Sequence, residues 1–169
     1  MLSPRVSTPS PLIWRSVSNA ASAVAQSPSS AGRTARTSTF LATIETMPRD
    51  KDGQFSDRKA IYAREAVLLD AYPDRVPVRL QAHRIGGLTI AAIPCEVFVE
   101  IGLELKRVKP LEQLFTISLA NGYNGYLPTP EHHRLGGYET WRARSSYLET
   151  EAATAITKNL QEMLAEVAR

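Results

Sequence analysis

Residues 76–93, VPVRLQAHRIGGLTIAAI, decide the fold of this chain. Apolar and polar side chains alternate from Val76 to Ile85, which is the pattern of a β-strand with one solvated face. The pair Gly86-Gly87 favours a tight turn, so the next strand is predicted to pair antiparallel as a hairpin. The apolar run at residues 88–93 is typical of a central strand that is buried on both faces.

Helical patterns flank this hairpin. Ser56 is predicted to cap a helix that ends near Tyr72. Residues 96–107 carry apolar side chains at helical spacing and predict a second helix, with Glu96 in its first turn. The resulting order continues with a strand at 114–119 and an amphipathic helix at 150–167.

This order predicts an α/β fold with a mixed β-sheet and packed helices. The central strand needs a neighbour on each side, yet the sequence predicts only three strands. A fragment of a larger α/β domain therefore fits better than a complete one.

The first 44 residues have a different composition from the rest. They contain four arginines and no Asp or Glu, and they are rich in Ser, Thr, Ala and Pro. Such a segment buries too little apolar surface to offset its ordering entropy, so we predict a disordered Ser/Arg-rich tail at 1–44 and a folded part at 45–169. The tail resembles a transit peptide or sequence added by a wrong start site. Its apolar run, 11–14, is too short for a secretory signal, and the compartment stays unassigned.

Composition also excludes several classes of function. The folded part is close to neutral, with 16 Lys and Arg against 17 Asp and Glu, so no nucleic-acid partner is expected. No apolar stretch is long enough for a transmembrane helix. Cys95 is the only cysteine, which excludes an internal disulfide framework and a cysteine-based zinc knuckle.

The candidate site residues come just after predicted strands in the sequence. Glu96 comes directly after the apolar strand, and Tyr123 and Tyr126 lie in a Gly-rich loop after the next strand. Binding and catalytic groups collect at strand ends in α/β folds. A carboxylate near a phenol can supply half of a metal site or an acid/base pair. From the residues alone, a first-turn acid that interacts with the helix dipole remains the alternative for Glu96.

Three blocks resemble the C-terminal part of the catalytic domain of the neutral/alkaline non-lysosomal ceramidase family, bacterial ceramidase-like proteins in particular. They are 84–96 (RIGGLTIAAIPCE), 120–129 (ANGYNGYLPT) and 136–139 (GGYE), within a similarity that runs from about 55 to 168. Cys95 departs from the family, in which many members have Gly at this place. The two histidine ligands of the family belong to an upstream part that this sequence does not match.

The resemblance implies a zinc-dependent hydrolase that cleaves the N-acyl bond of ceramide. It implies that Glu96 and Tyr126 are zinc ligands and that Tyr123 lies near the site. It also implies that Tyr138 and Glu139 shape the substrate mouth. The family is often exported.

Other residues invite competing interpretations. His132 and His133 are adjacent and project in different directions, so an exposed polar role is favoured over a shared metal ion. Cys95 has no identified base partner, so we expect a small apolar filler rather than a nucleophile. Residues 141–144, WRAR, are compatible with a phosphate or lipid head-group site and equally with a solvated loop anchored by Trp141.

Three hypotheses follow. The first is a truncated ceramidase-like zinc amide hydrolase of the N-acylsphingosine amidohydrolase type, which would act on a lipid amide and be inactive without an upstream half. The second is a non-catalytic interaction module that self-associates through an open sheet edge. The third is a mis-called gene fragment with no function of its own.

Overall fold

The computed structural model describes residues 14–24, 40–42, 44–108, 111 and 113–169. Strands, helices and one turn of 3₁₀ helix follow one another along these ranges. They are β1 (Trp14–Val24), α1 (Arg58–Leu69), β2 (Arg75–Ile85), β3 (Leu88–Ala92), β4 (Glu96–Val97), α2 (Val99–Leu105), β5 (Gln113–Ile117), β6 (Tyr126–Leu127), α3 (Pro130–Leu135), the 3₁₀ turn (Tyr138–Thr140) and α4 (Ala152–Val167).

The main sheet has the strand order β1-β2-β3-β5. β2 and β3 form the predicted antiparallel hairpin, in which Ile85 pairs with Leu88. β3 pairs parallel with β5 on its other side, from Leu88 opposite Gln113 to Ala92 opposite Ile117. The prediction of a mixed sheet with a central strand at 88–93 is therefore confirmed, because both neighbours of β3 are present.

The expectation of disorder is wrong for Trp14–Val24. These eleven residues form β1, which pairs antiparallel with the whole length of β2, for example Val17 with Ala82. The physical reason is that β2 supplies a complete ladder of backbone partners, so this segment needs few large apolar side chains of its own. Residues 1–13 and 25–39 lie outside the described residues, and the division at residue 44 stays a prediction.

The hydrophobic core lies between the sheet and α4, which packs across β1, β2 and β3. Leu80 of β2 and Leu160 and Leu164 of α4 are fully buried there. Arg84 of β2 donates a hydrogen bond of 2.7 Å to the carbonyl of Ala168 just past this helix. A cation at the carbonyl end of a helix is favourable because that end carries partial negative charge.

A second, two-stranded sheet joins β4 to β6. The prediction of a helix from residue 96 is wrong at its start, because Glu96 and Val97 pair with β6 and α2 begins only at Val99. α1 also starts differently from the prediction: Asp57, rather than Ser56, is the N-cap, and it accepts hydrogen bonds from the backbone of the first helical turn.

Candidate functional site

Glu96 and Tyr126 lie directly opposite each other in the two-stranded sheet, where β4 and β6 run parallel. Each strand is only two residues long, so its position depends on the loops that flank it. β4 follows β3 through residues 93–95, and β6 follows β5 through residues 118–125. The carboxylate and the phenol therefore come from the extensions of two adjacent strands of the main sheet.

A ladder of backbone hydrogen bonds holds these two extensions together. It consists of Ala120 N to Ile93 O at 3.0 Å, Asn124 N to Pro94 O at 2.6 Å, Leu119 N to Cys95 O at 2.9 Å and Glu96 N to Gly125 O at 2.9 Å. The hydroxyl of Ser118 adds a bridge, because it donates to the carbonyl of Cys95 at 2.8 Å and accepts from the amide of Val97 at 3.1 Å. These bonds fix the register in which Glu96 meets Tyr126.

Gly125 provides the turn into β6. Its φ of +75° lies in the left-handed region that side chains disfavour, and a Cβ there would lie 2.5 Å from the carbonyl oxygen of Ser145. The same oxygen accepts a hydrogen bond of 2.8 Å from the amide of Tyr126. A glycine at this position therefore lets the loop at residues 143–146 pack directly against β6.

The phenol of Tyr126 is surrounded by polar groups. A hydrogen bond with Tyr138, burial and the negative charge of Glu96 together raise the pKa of Tyr126 above its usual range. The rings of Tyr126 and Tyr138 meet edge to face with their centroids 5.7 Å apart. Tyr126 therefore keeps its proton and presents a hydrogen-bond donor beside a carboxylate.

Tyr123 is the more accessible of the two loop tyrosines, with 54% of its surface exposed. Burial of the phenol and the charge of Glu96 both raise the pKa of Tyr123. The influence of Glu96 on both phenols indicates that Glu96, Tyr123 and Tyr126 occupy one region. The structure thus brings together the three site residues that the sequence singled out.

Cys95 does not present a nucleophile. Its side chain is fully buried, and burial raises the pKa of its thiol from the usual 9.0 to about 12. A protonated, inaccessible thiol is neither a nucleophile nor a metal ligand.

The two histidines lie on α3 (Pro130–Leu135). The Nδ1 of His132 is 2.7 Å from the hydroxyl of Thr129 in a capping box, and its ring packs on Phe98. Across the described residues, no three or more His, Cys, Asp and Glu side chains cluster as a metal site would require. No helix in the described ranges is long and apolar enough to cross a membrane.

Sequence reasoning missed the partners that position the site. The carbonyl of Ser145 and the side-chain amide of Asn124, which donates to the hydroxyl of Tyr147 at 3.1 Å, have no motif that identifies them. The pair between Glu65 and Arg144, 79 residues apart, was also missed. No local pattern reports such contacts, because they depend on how distant segments pack.

Solved structures that are similar to this chain include two of ceramidases. The neutral ceramidase from Pseudomonas aeruginosa matches over 89% of this chain and 24% of its own, with 18% identity and a TM-score of 0.48. A ceramidase complexed with C2 matches over 57% of this chain and 15% of its own, with 22% identity and a TM-score of 0.45. This chain thus spans a quarter or less of the length of either structure.

No family model and no curated protein matches this sequence. The two matched structures come from the family that the three sequence blocks resemble. Their TM-scores are below 0.5, so the function proposed below rests on the geometry of the site and on the resemblance of the three sequence blocks.

Gly125→Ala tests the packing that places Tyr126. We expect a loss of about 2 kcal/mol or more in the free energy of unfolding, because the methyl group meets a backbone carbonyl and the backbone has positive φ. Gly87→Ala is the matched control, since no atom lies within 4 Å of the place its methyl group would take, and a change below about 0.5 kcal/mol is expected. Urea unfolding measures both. Equal effects would contradict the role of Gly125.

Labelling of Cys95 tests the rigidity of the turn before β4. A thiol reagent at mildly alkaline pH is expected to modify the folded chain at least about a hundredfold more slowly than the unfolded chain, because the thiol is buried and protonated. Mass spectrometry of timed samples measures the rate. Rapid labelling of the folded chain would mean that the turn at 93–95 opens readily.

Proposed function

We propose that this chain contributes part of the active site of a zinc-dependent amide hydrolase that acts on lipid amides, of the N-acylsphingosine amidohydrolase type. In this proposal Glu96 and Tyr126 are zinc ligands, and Tyr126 and Tyr123 also contact the substrate. The main support for this proposal is that Glu96 and Tyr126 pair directly opposite each other. The ladder of backbone hydrogen bonds between residues 93–96 and 119–125 fixes this pairing.

The two proposed ligands are of a kind that binds zinc, but they are too few for a complete site. A catalytic zinc takes three protein ligands from nitrogen, sulfur or oxygen donors and keeps one position open. Glu96 and Tyr126 supply two oxygen donors, so the remaining donors must come from outside the described residues. The resemblance to ceramidases implies two histidines. Bound zinc would polarise a carbonyl group and lower the pKa of a water molecule.

The residues of this chain have separate parts in that chemistry. Without zinc Tyr126 holds its proton at Oη, because its pKa is raised, and ligation through Oη requires that proton to leave. The alternative role, which excludes ligation through the same oxygen, is that of a neutral phenol that donates to the oxyanion developing when an amide carbonyl is attacked. Tyr123 is more exposed than Tyr126, and the charge of the same carboxylate acts on it. In this proposal Tyr123 donates a hydrogen bond to the substrate.

Two donors alone bind zinc weakly, so we expect the isolated chain to be inactive towards lipid amides. Zinc binding by Glu96 and Tyr126 becomes measurable when the missing nitrogen donors are supplied from solution. Excess imidazole can occupy the positions that histidines would take.

Zinc titration in the presence of imidazole tests the proposal. We expect zinc to shift the backbone NMR signals of Glu96 and Tyr126, and we expect the affinity to fall about tenfold or more in Glu96→Gln and in Tyr126→Phe. Glu162→Gln, which removes a carboxylate from α4, is the matched control and should bind zinc as the unmodified chain does. Equal binding in all four proteins, or no shift at residues 96 and 126, would overturn the proposal.

A second candidate function is self-association through β5. Within the described residues, β5 pairs on one side only, and Phe115 and Ile117 are each 41% exposed. All five residues of β5 are uncharged, so two copies can pair antiparallel without placing like charges opposite each other. Such an edge is a template for adding a strand from another chain.

Sedimentation velocity tests this second candidate. We expect the chain to dimerise, and Phe115→Lys to raise the dimer dissociation constant about tenfold or more, because a charge would enter the paired edge. Leu135→Lys is the control, since Leu135 is 68% exposed on α3, away from β5. A monomer at all concentrations, or the same response in both variants, would rule out pairing through β5.

A further inference from the structure

An open cleft of about 410 Å³ lies beside the candidate site. Six residues from three separated segments line it: Glu65, Tyr72, Tyr123, Arg144, Ser145 and Tyr147. The cleft is joined to the paired residues at its base, because the carbonyl of Ser145 accepts the amide of Tyr126 at 2.8 Å. Three of the six lining residues are tyrosines, which combine a flat apolar ring with a hydroxyl.

The charges in this cleft cancel. The guanidinium of Arg144 forms a bidentate pair with Glu65 through Nε at 2.8 Å and Nη2 at 2.9 Å, and the backbone amide of Arg144 also donates to Glu65 at 3.2 Å. Glu65 is partly buried and Arg144 is about half exposed, so solvent screens this pair in part. Arg144 is therefore not a free cation for phosphate, and nearby Glu96 further disfavours an anion.

The polar groups that remain suit hydroxyl groups. The hydroxyl of Tyr147 accepts a hydrogen bond from Asn124, which leaves its own hydrogen to donate. Among the contacts of the described residues, the Nη1 group of Arg144 has no hydrogen-bond acceptor. Tyr72 adds another hydroxyl, and its ring meets that of Tyr147 edge to face at 5.3 Å. The neutral cleft thus offers hydroxyl and guanidinium donors beside aromatic surface.

We infer that this cleft binds an uncharged, polyhydroxylated group. Such a group both donates and accepts hydrogen bonds at each oxygen, and its carbon skeleton can pack against the tyrosine rings. Two sources carry this chemistry: a free sugar, and the hydroxylated end of an amide substrate that extends from Glu96 and Tyr126. The inference depends neither on zinc nor on amide hydrolysis.

NMR titration of the full chain, with a metal chelator present, tests this inference apart from the proposed function. The probes are methyl glucoside, for a sugar, and N-acetylserinol, for a hydroxylated amide. N-isopropylacetamide has the same skeleton as the second probe without hydroxyls, and N-acetylserinol phosphate adds negative charge. We expect at least one of the first two probes to shift the signals of Tyr123, Arg144 and Ser145, and the last two to bind at least about tenfold more weakly.

Two matched variants complete the test. Tyr72→Phe removes one lining hydroxyl and keeps the ring, so the affinity for the hydroxylated probe should fall about threefold to tenfold. Tyr62→Phe makes the same change in a ring that packs on Trp141 and does not line the cleft, so the affinity should not change. Equal binding of the phosphate or of N-isopropylacetamide, equal effects of both variants, or no binding of either hydroxylated probe would overturn the inference.

Discussion

The candidate site depends on one set of interactions, the backbone ladder between the extension of β3 and the extension of β5. Neither β4 nor β6 is long enough to hold its place alone, and the ladder converts two loops into a defined pair of strands. The same bonds satisfy the carbonyls of residues 93–95 where the chain leaves the sheet. The pairing of Glu96 with Tyr126 follows from this register.

The electrostatics of the site follow from how these residues are packed. The pKa of Tyr126 is raised mainly by its hydrogen bond with Tyr138 and that of Tyr123 mainly by burial, and the charge of Glu96 adds to both shifts. A short distance away, Glu65 and Arg144 neutralise each other. The surface therefore has two neighbouring regions: β4 and β6 with the carboxylate of Glu96, and a neutral, hydroxyl-rich cleft. Each region suits a different part of a ligand.

Local patterns predicted those parts of the fold that local interactions determine. The pair Gly86-Gly87 predicted the hairpin, and the apolar run at 88–93 predicted the central strand. β1 was missed because its ladder partner β2 lies about 60 residues away, and no pattern within residues 14–24 reports that pairing. Glu96 was predicted in a helix because residues 97–108 have helical spacing, but pairing with Tyr126 outweighs that preference by giving the backbone a partner.

The candidate residues were predictable for a different reason. Glu96, Tyr123 and Tyr126 stand at strand ends and within blocks that resemble a known family, so sequence alone identified them. The cleft beside them was not predictable, because Glu65, Tyr72 and Arg144 come from segments that only the folded chain brings together.

The position of α4 has a consequence for how this chain folds. α4 follows all the strands in the chain, yet it covers the buried face of β1, β2 and β3. During synthesis the sheet is therefore made before the helix that shields it, and the apolar side chains of β2 remain without their packing partners until α4 emerges. A sheet in this state exposes apolar surface and is prone to aggregation. Burial of this face of the sheet therefore waits for α4.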